Sequence, residues 1–198
     1  MLIPTRVDCF RLMHDHGMLD NIVEHSVVVS RLALFLADHL VLQGLNLNRS
    51  LIEAGALLHD ITKTRSLTTG EPHAETGARL LRSRGYDAVA VIVEEHVYRK
   101  TYDATTSPVE EDIINYADKR VLHSTVVTLE RRFSYLTARY GKTSTDQERI
   151  AQLFNKTQQL EGKMFYFLPF SPSYLTQERI THAGCRRGYP SLQDVIHA

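Results

Sequence analysis

The sequence predicts an all-α fold, on three observations. Its 10 glycines and 6 prolines in 198 residues fall below the ~12% combined share of an average chain. Apolar side chains recur at helical spacing in one segment after another. No stretch keeps the every-other-residue alternation of a half-buried strand.

The segments follow in order. Asp20 can cap a helix from Asn21, on which Ile22, Val29, Leu32 and Leu36 form a stripe. Residues 51–58 make a second buried helix with Ser50 as its cap. Pro72 suits the first turn of a third, where its missing N–H costs nothing; that helix carries Gly77, Leu80 and Leu81 and ends at Gly85. A fourth starts at Asp87, with Val89, Ile92 and Val93 on one face. Ser107, Pro108 and Glu110 read as a capping box that opens a fifth, lined by Ile113, Ile114, Ala117 and Val121. Two longer helices, 125–140 and 144–165, hinge near Gly141, and the first carries Leu129, Phe133, Leu136 and Tyr140 at helical spacing. They either cover the core or pack on a second subunit, as a homodimer would. The Pro- and Gly-bearing tail reads as an irregular extension over 167–198, after a domain over 1–166 whose core is about 20–122.

Composition narrows the function. At 43% hydrophobic and 23% charged, the chain is globular. Its 23 basic and 23 acidic side chains cancel, which argues against a binder of nucleic-acid polymers but leaves room for a pocket that takes one phosphate. Cys9 and Cys185 make no disulfide framework and read as free thiols of a reducing cytosol. Residues 1–10 have no apolar core of signal-peptide length. The most apolar run, 27–37, is cut by Ser30 and Arg31 and falls short of the ~20 residues of a membrane span. A soluble cytoplasmic protein is expected, with no membrane partner.

The informative residues are polar ones inside apolar stripes. His25 lies three after Ile22 and four before Val29; His59 follows Gly55 by four and Asp60 follows Ala56 by four. His96 follows Val93 by three, Asp118 follows Ile114 by four, and His73 precedes Gly77 by four. A buried ionised carboxylate is severely unfavourable unless paired or metal-bound. One divalent cation would satisfy these imidazoles and carboxylates together, and iron, manganese, zinc or nickel suit such ligands.

The ordered set resembles the HD-domain superfamily of metal-dependent phosphohydrolases over roughly residues 22–120. The likeness rests on His25-Ser26, on Leu57-Leu58-His59-Asp60-Ile61-Thr62-Lys63 and on Tyr116-Ala117-Asp118-Lys119-Arg120, with His73 and His96 as the two further histidines of the binuclear branch. Thr62 stands where the "HDIG-K" variant has Gly. The resemblance implies an HD-type helical bundle with additional C-terminal helices. It implies that His25, His59, Asp60 and Asp118 hold a first metal, and that Asp60 bridges to a second completed by His73 and His96. The cyclic-dinucleotide phosphodiesterase branch carries another His directly after the one matching His96, where this chain has Val97, so the second site is one ligand poorer. Magnesium joins the candidate metals, as one or two ions.

The activity so implied is hydrolysis of a phosphoester or phosphoanhydride, in a nucleotide or other small phosphorylated metabolite, by metal-activated water. Asp60 anchors metal and orients the attacking water, Lys63 reaches the phosphate as a point charge, and Arg120 or Lys119 contacts substrate. Arg99 and Lys100 are weaker candidates of the same type. Two alternatives stay open: an HD-type di-iron oxygenase with the same ligand order, and a noncatalytic metal- or nucleotide-binding signalling module. Gly188-Tyr189-Pro190 matches a triplet of the cyclic-dinucleotide branch but lies far downstream of His96, and is read as coincidence. His182, Cys185 and His197 have no supporting spacing and read as surface residues.

Overall fold

The computed structural model describes residues 1–99, 103 and 105–185. Lys100, Gly188, Tyr189, Pro190 and His197, and the side chains of His182 and Cys185, lie outside what is described. The described residues are mostly helical, as the sequence predicts.

Helix α2 (Asp20–Leu42) is the axis of the molecule. Its apolar residues recur on nearly every face because α3 (Arg49–Leu58), α7 (Glu110–Lys119) and α10 (Gln177–Cys185) pack around it. Val29, Leu32, Ala33, Leu36 and Leu40 are completely buried. By length and apolarity α2 could cross a membrane, but here that apolarity forms the core. Its N-cap is Leu19 and Asp20 is the first helical residue, so Asp20 acts through its charge on the helix N-terminus and not as a capping side chain. Helix α3 likewise starts earlier than the sequence indicates: Asn48, not Ser50, is the cap, accepting from the Leu51 N–H at 3.1 Å.

Helices α5 (His73–Ser83) and α6 (Asp87–Glu95) form a hairpin that leans on α3 through α6. Gly85 turns it, at φ 80°, a left-handed conformation that Gly adopts at least cost. Gly55 lets the layers approach closely, since a Cβ there would stand 2.8 Å from methyls of both Ile92 and Ile114.

Several elements differ from the sequence expectation. Helix α1 (Arg6–Asp15) precedes the core, closed by a Thr5–Asp8 capping box, and buries Cys9, Leu12 and Met13. Helix α4 (Lys63–Thr69) fills the stretch after Asp60 and stops at Gly70, φ 71°. Helix α7 is opened by the Asp112 carboxylate, which accepts from the Val109 N–H at 3.3 Å, and not by Ser107. A two-stranded hairpin of β1 (Val121–Leu122) and β2 (Thr125–Val126) follows α7, with Val121 opposite Val126. Helix α8 (Leu129–Tyr140) therefore begins four residues later than expected, capped by Thr128. Helix α9 (Ser144–Phe165) has the predicted bounds, with a Thr143–Asp146 capping box. The tail is not irregular throughout: a 3-10 turn (Pro172–Tyr174) leads into α10.

A buried ion pair joins α9 to α7. Lys163 Nζ donates to Asp112 Oδ2 at 2.8 Å, with Asp112 at 0% exposure. Arg99 approaches the same carboxylate at 3.5 Å and also pairs with Glu95 and Glu111. That commits Arg99 to the scaffold and removes it as a substrate contact.

Candidate metal centre

The scaffold brings six of the sequence-predicted residues to one point. His25 projects from the second turn of α2, Asp118 from the last turn of α7, and His73 from the first turn of α5. His59 and His96 are the C-caps of α3 and α6, and Asp60 follows His59. His25 Nε2 stands 3.1 Å from Asp118 Oδ1. His59 Nε2 stands 3.6 Å from Asp60 and 3.9 Å from Asp118. His73 Nε2 is 3.0 Å and His96 Nε2 3.6 Å from Asp60 Oδ1, and the two imidazole nitrogens face each other at 3.2 Å.

Main-chain carbonyls set the ring orientations. The last carbonyls of a helix lack intrahelical donors, and two histidines use them: His59 Nδ1 bonds Ala56 O at 2.8 Å and His96 Nδ1 bonds Val93 O at 2.6 Å. His25 Nδ1 bonds His123 O at 2.7 Å, a carbonyl presented by the turn between β1 and β2, where His123 has φ 54°. With Nδ1–H donating outward, each Nε2 carries its lone pair inward, the arrangement common to metal-binding imidazoles.

Burial pushes the His59 imidazole down to about 4, against the pull of Asp60. Burial also disfavours the His25 cation, but the Asp118 hydrogen bond and the Asp118 and Asp60 charges outweigh it and raise its pKa. For both carboxyls burial acts upward and is overcome: the neighbouring His59 and His96, with a hydrogen bond from His73, hold Asp60 well below the usual carboxylate range, and Lys119, His25, His59 and Arg132 do so for Asp118.

The residues fit a cation. His59 Nε2 is buried and has no hydrogen-bond partner among the described residues, although it faces two carboxylates. A lone pair aimed at anionic oxygen in a buried site is repulsive until a positive charge lies between them. The ligand atoms of His25, His59 and Asp118 lie within 4.8 Å of one another, and so do those of His59, Asp60 and His96. Atoms bound to one ion at ~2.0–2.2 Å stand ~3–4 Å apart, so each triad needs only a small contraction.

Other sequence candidates divide. Lys63 Nζ is 3.5 Å from His73 Nδ1 and lines the cleft above the centre. Lys119 is buried, donating to Asp118 Oδ2 at 2.9 Å and to His96 O at 2.7 Å, and thereby ties α7 to the end of α6. Arg120 does not contact the cleft: at 2% exposure its Nε donates to Val127 O at 2.6 Å, Nη2 donates to Pro172 O at 3.2 Å, and Glu161 lies 3.3 Å from Nη1. Positions two apart on a helix point to nearly opposite sides, so Asp118 facing inward sends Arg120 beneath. Thr62 has an ordinary φ of −106°, and its hydroxyl donates to His73 O at 2.8 Å, fastening the turn after Asp60 to α5. Glycine could not supply that bond.

The cleft encloses about 460 Å³. His59 lies behind its surface; besides His25, Asp60, His73, His96, Asp118 and Lys63 it takes in Leu67 of α4, His123 of the hairpin turn, and Arg132, Tyr135 and Arg139 of α8. Reading the sequence did not single these out. A signal existed for Arg132, which lies four before Leu136 and three after Leu129, a charged residue on the apolar side of its helix.

The sequence profile of the HD domain family matches residues 22–121. The chain belongs to the HD domain family. A relative named "Uncharacterized protein" from Methanocaldococcus jannaschii is 31% identical over 149 residues, covering 68% of this chain and 86% of the relative. Two further relatives are named tRNA (cytidine(56)-2'-O)-methyltransferase. The one from Thermoplasma volcanium is 37% identical over 97 residues, 48% of this chain and 27% of that protein. The one from Picrophilus torridus is 28% identical over 142 residues, 65% of this chain and 40% of that protein. The chain thus spans well under half the length of either methyltransferase it matches. No solved structure matches it. The HD fold is all-α and its His/Asp constellation binds metal, and the groups gathered here could hold an ion.

Proposed function

We propose that this HD domain is a metal-dependent phosphohydrolase that cleaves a phosphoester or phosphoanhydride of a nucleotide or other small phosphorylated metabolite. The observation that carries the reading is the set of inward-facing Nε2 lone pairs of His25, His59 and His96, pinned from behind by carbonyls and opposed by the buried Asp60 and Asp118. His25, His59, Asp60 and Asp118 would hold one ion; Asp60, His73 and His96 would hold a second. A divalent ion so held lowers the pKa of water and draws charge from a phosphoryl oxygen.

The chain's own residues do the rest. Asp60, shared by the two proposed ligand sets, accepts a hydrogen bond from the attacking water and aims it at phosphorus. Lys63, at the start of α4, offers an ammonium to the phosphoryl oxygens. Leu67 and Leu136 add apolar surface to the cleft lining. A nucleotide is the favoured substrate class because two relatives are named for action on a cytidine of tRNA, and because a cleft of about 460 Å³ is of small-molecule size. A cytoplasmic setting suits the free, buried thiol of Cys9.

The test is elemental analysis of protein purified without chelator, coupled to phosphate release across a nucleotide and sugar-phosphate panel under nitrogen. We expect a bound transition metal and at least one hydrolysed substrate, with Asp60→Ala losing all turnover and most of the metal. Oxygen uptake by iron-loaded protein without phosphate release would transfer the site to the oxygenase branch. Neither metal nor turnover would leave a binding module.

A further inference from the structure

We infer that Arg132 of α8 is a substrate-contacting residue, which grips a phosphoryl oxygen beside the metal centre; the inference rests on the phosphohydrolase reading above. Helix α8 lies beyond the segment matched to the HD family, residues 22–121, so this group is supplied by the part of the chain outside that match.

The Arg132 side chain is only 17% exposed and lines the cleft, and its Nη2 stands 3.9 Å from Asp118 Oδ1. That is too long for a hydrogen bond. Asp118 is held from elsewhere: Oδ2 accepts from Lys119 at 2.9 Å, while Oδ1 faces His25 Nε2 at 3.1 Å on the side of the metal centre. Meanwhile Arg132 Nε is buried and makes no hydrogen bond among the described residues. A guanidinium drawn out of water, with a donor unspent and Asp118 beyond hydrogen-bond distance, is set up for an anion yet to arrive. Its planar fork matches two oxygens of a phosphate. The metal centre would hold the opposite side of that phosphate, so the group to be attacked lies between cation and guanidinium, where charge accumulates in the transition state.

Packing gives the side chain its aim. Phe133, the next residue, is buried against Phe154 of α9 with ring centroids 5.0 Å apart. That contact fixes the rotation of α8 and leaves Arg132, Tyr135 and Leu136 over the cleft.

Inorganic phosphate titrated by calorimetry into Mn²⁺-supplemented protein tests this, with metal content measured on every sample. Arg132→Met is expected to weaken phosphate roughly 10- to 100-fold, the worth of one or two charge-assisted hydrogen bonds, with manganese content unchanged. Should that variant not fold, Arg132→Lys carries the test: an ammonium replaces the fork and affinity falls several-fold. Arg131→Ala, on the exposed side of α8, should match wild type. If a hydrolysed substrate is in hand, the loss should appear in kcat/KM. Wild type that binds phosphate while Arg132→Met binds it equally, whether or not its melting temperature drops, would overturn the role of Arg132 and leave the phosphohydrolase reading standing. Wild type that neither binds phosphate nor releases any would overturn that reading and this inference with it.

Discussion

Two glycines in helices offer a controlled measurement of how tightly the scaffold is packed behind the centre. Gly55 in α3 would place an alanine Cβ 2.8 Å from Ile92 Cγ2 and from Ile114 Cδ1, whereas Gly162 in α9 has nothing within 4 Å. Both substitutions gain the same intrinsic helix preference, about 0.5–1 kcal/mol. Only Gly55→Ala then loses about 1–3 kcal/mol to overpacking. Gly162→Ala should thus be more stable than wild type, Gly55→Ala less, and the two should differ by that same ~1–3 kcal/mol. For a chain of this length the gap is roughly 3–10 °C in Tm. Urea unfolding followed by circular dichroism, with chelator present so that bound metal does not mask the difference, gives the numbers. Because α3 ends in His59, pushing it off α6 and α7 should also weaken metal retention in Gly55→Ala alone. Equal shifts in the two variants would refute the close approach of α3 to α6 and α7 on which the site geometry depends.

Other outcomes follow from the same structure. Lys163→Met strands the Asp112 carboxylate at 0% exposure and should cost about 3 kcal/mol or more in urea unfolding; a loss below ~1 kcal/mol would show that Arg99 alone suffices. In a Cys185→Ser background the remaining thiol, Cys9, is pushed up by burial to about 12 and should resist alkylation at pH 8 until urea unfolds the chain; rapid reaction in the native state contradicts its burial in α1. His59 in metal-free protein should titrate by NMR near pH 4, and a midpoint near the ordinary ~6.5 would contradict its desolvation. Since the folded form refuses a proton that the unfolded chain accepts below ~6.5, this group removes up to about 3 kcal/mol as pH falls towards 4. His25, raised by Asp118, acts in the opposite sense: its contribution is complete below ~6.5 and fades as pH rises through its folded value.

Much of the core was legible because it contradicts itself chemically. Histidines and aspartates at the apolar positions of α2, α3, α6 and α7 need an explanation that only convergence supplies; the structure gathers five of the six into two overlapping triads and sets His73 against Asp60 and His96. Helix α9 was legible to the residue because Thr143 and Asp146 close it with side chains of its own. What was missed is short or tertiary. Helix α4 has seven residues, none buried, so no stripe could reveal it, yet it brings Lys63 and Leu67 to the cleft. The β1–β2 hairpin pairs only Val121 with Val126 and Leu122 with Thr125, too few positions to show alternation. Arg120 misled because neighbours in sequence beside Asp118 are not neighbours in space, and its partners Val127, Glu161 and Pro172 come from distant segments.

The carbonyls of Ala56, Val93 and His123 that steady the three imidazoles belong to the peptide backbone. No single amino-acid exchange at those positions removes the acceptor, since every residue type carries one. The tautomers of the centre are therefore robust to point mutation and vulnerable to changes in chain length. An inserted or deleted residue in the His123–Ser124 turn would withdraw the peptide oxygen from His25 and free its ring to rotate, with every side chain of the cluster still present.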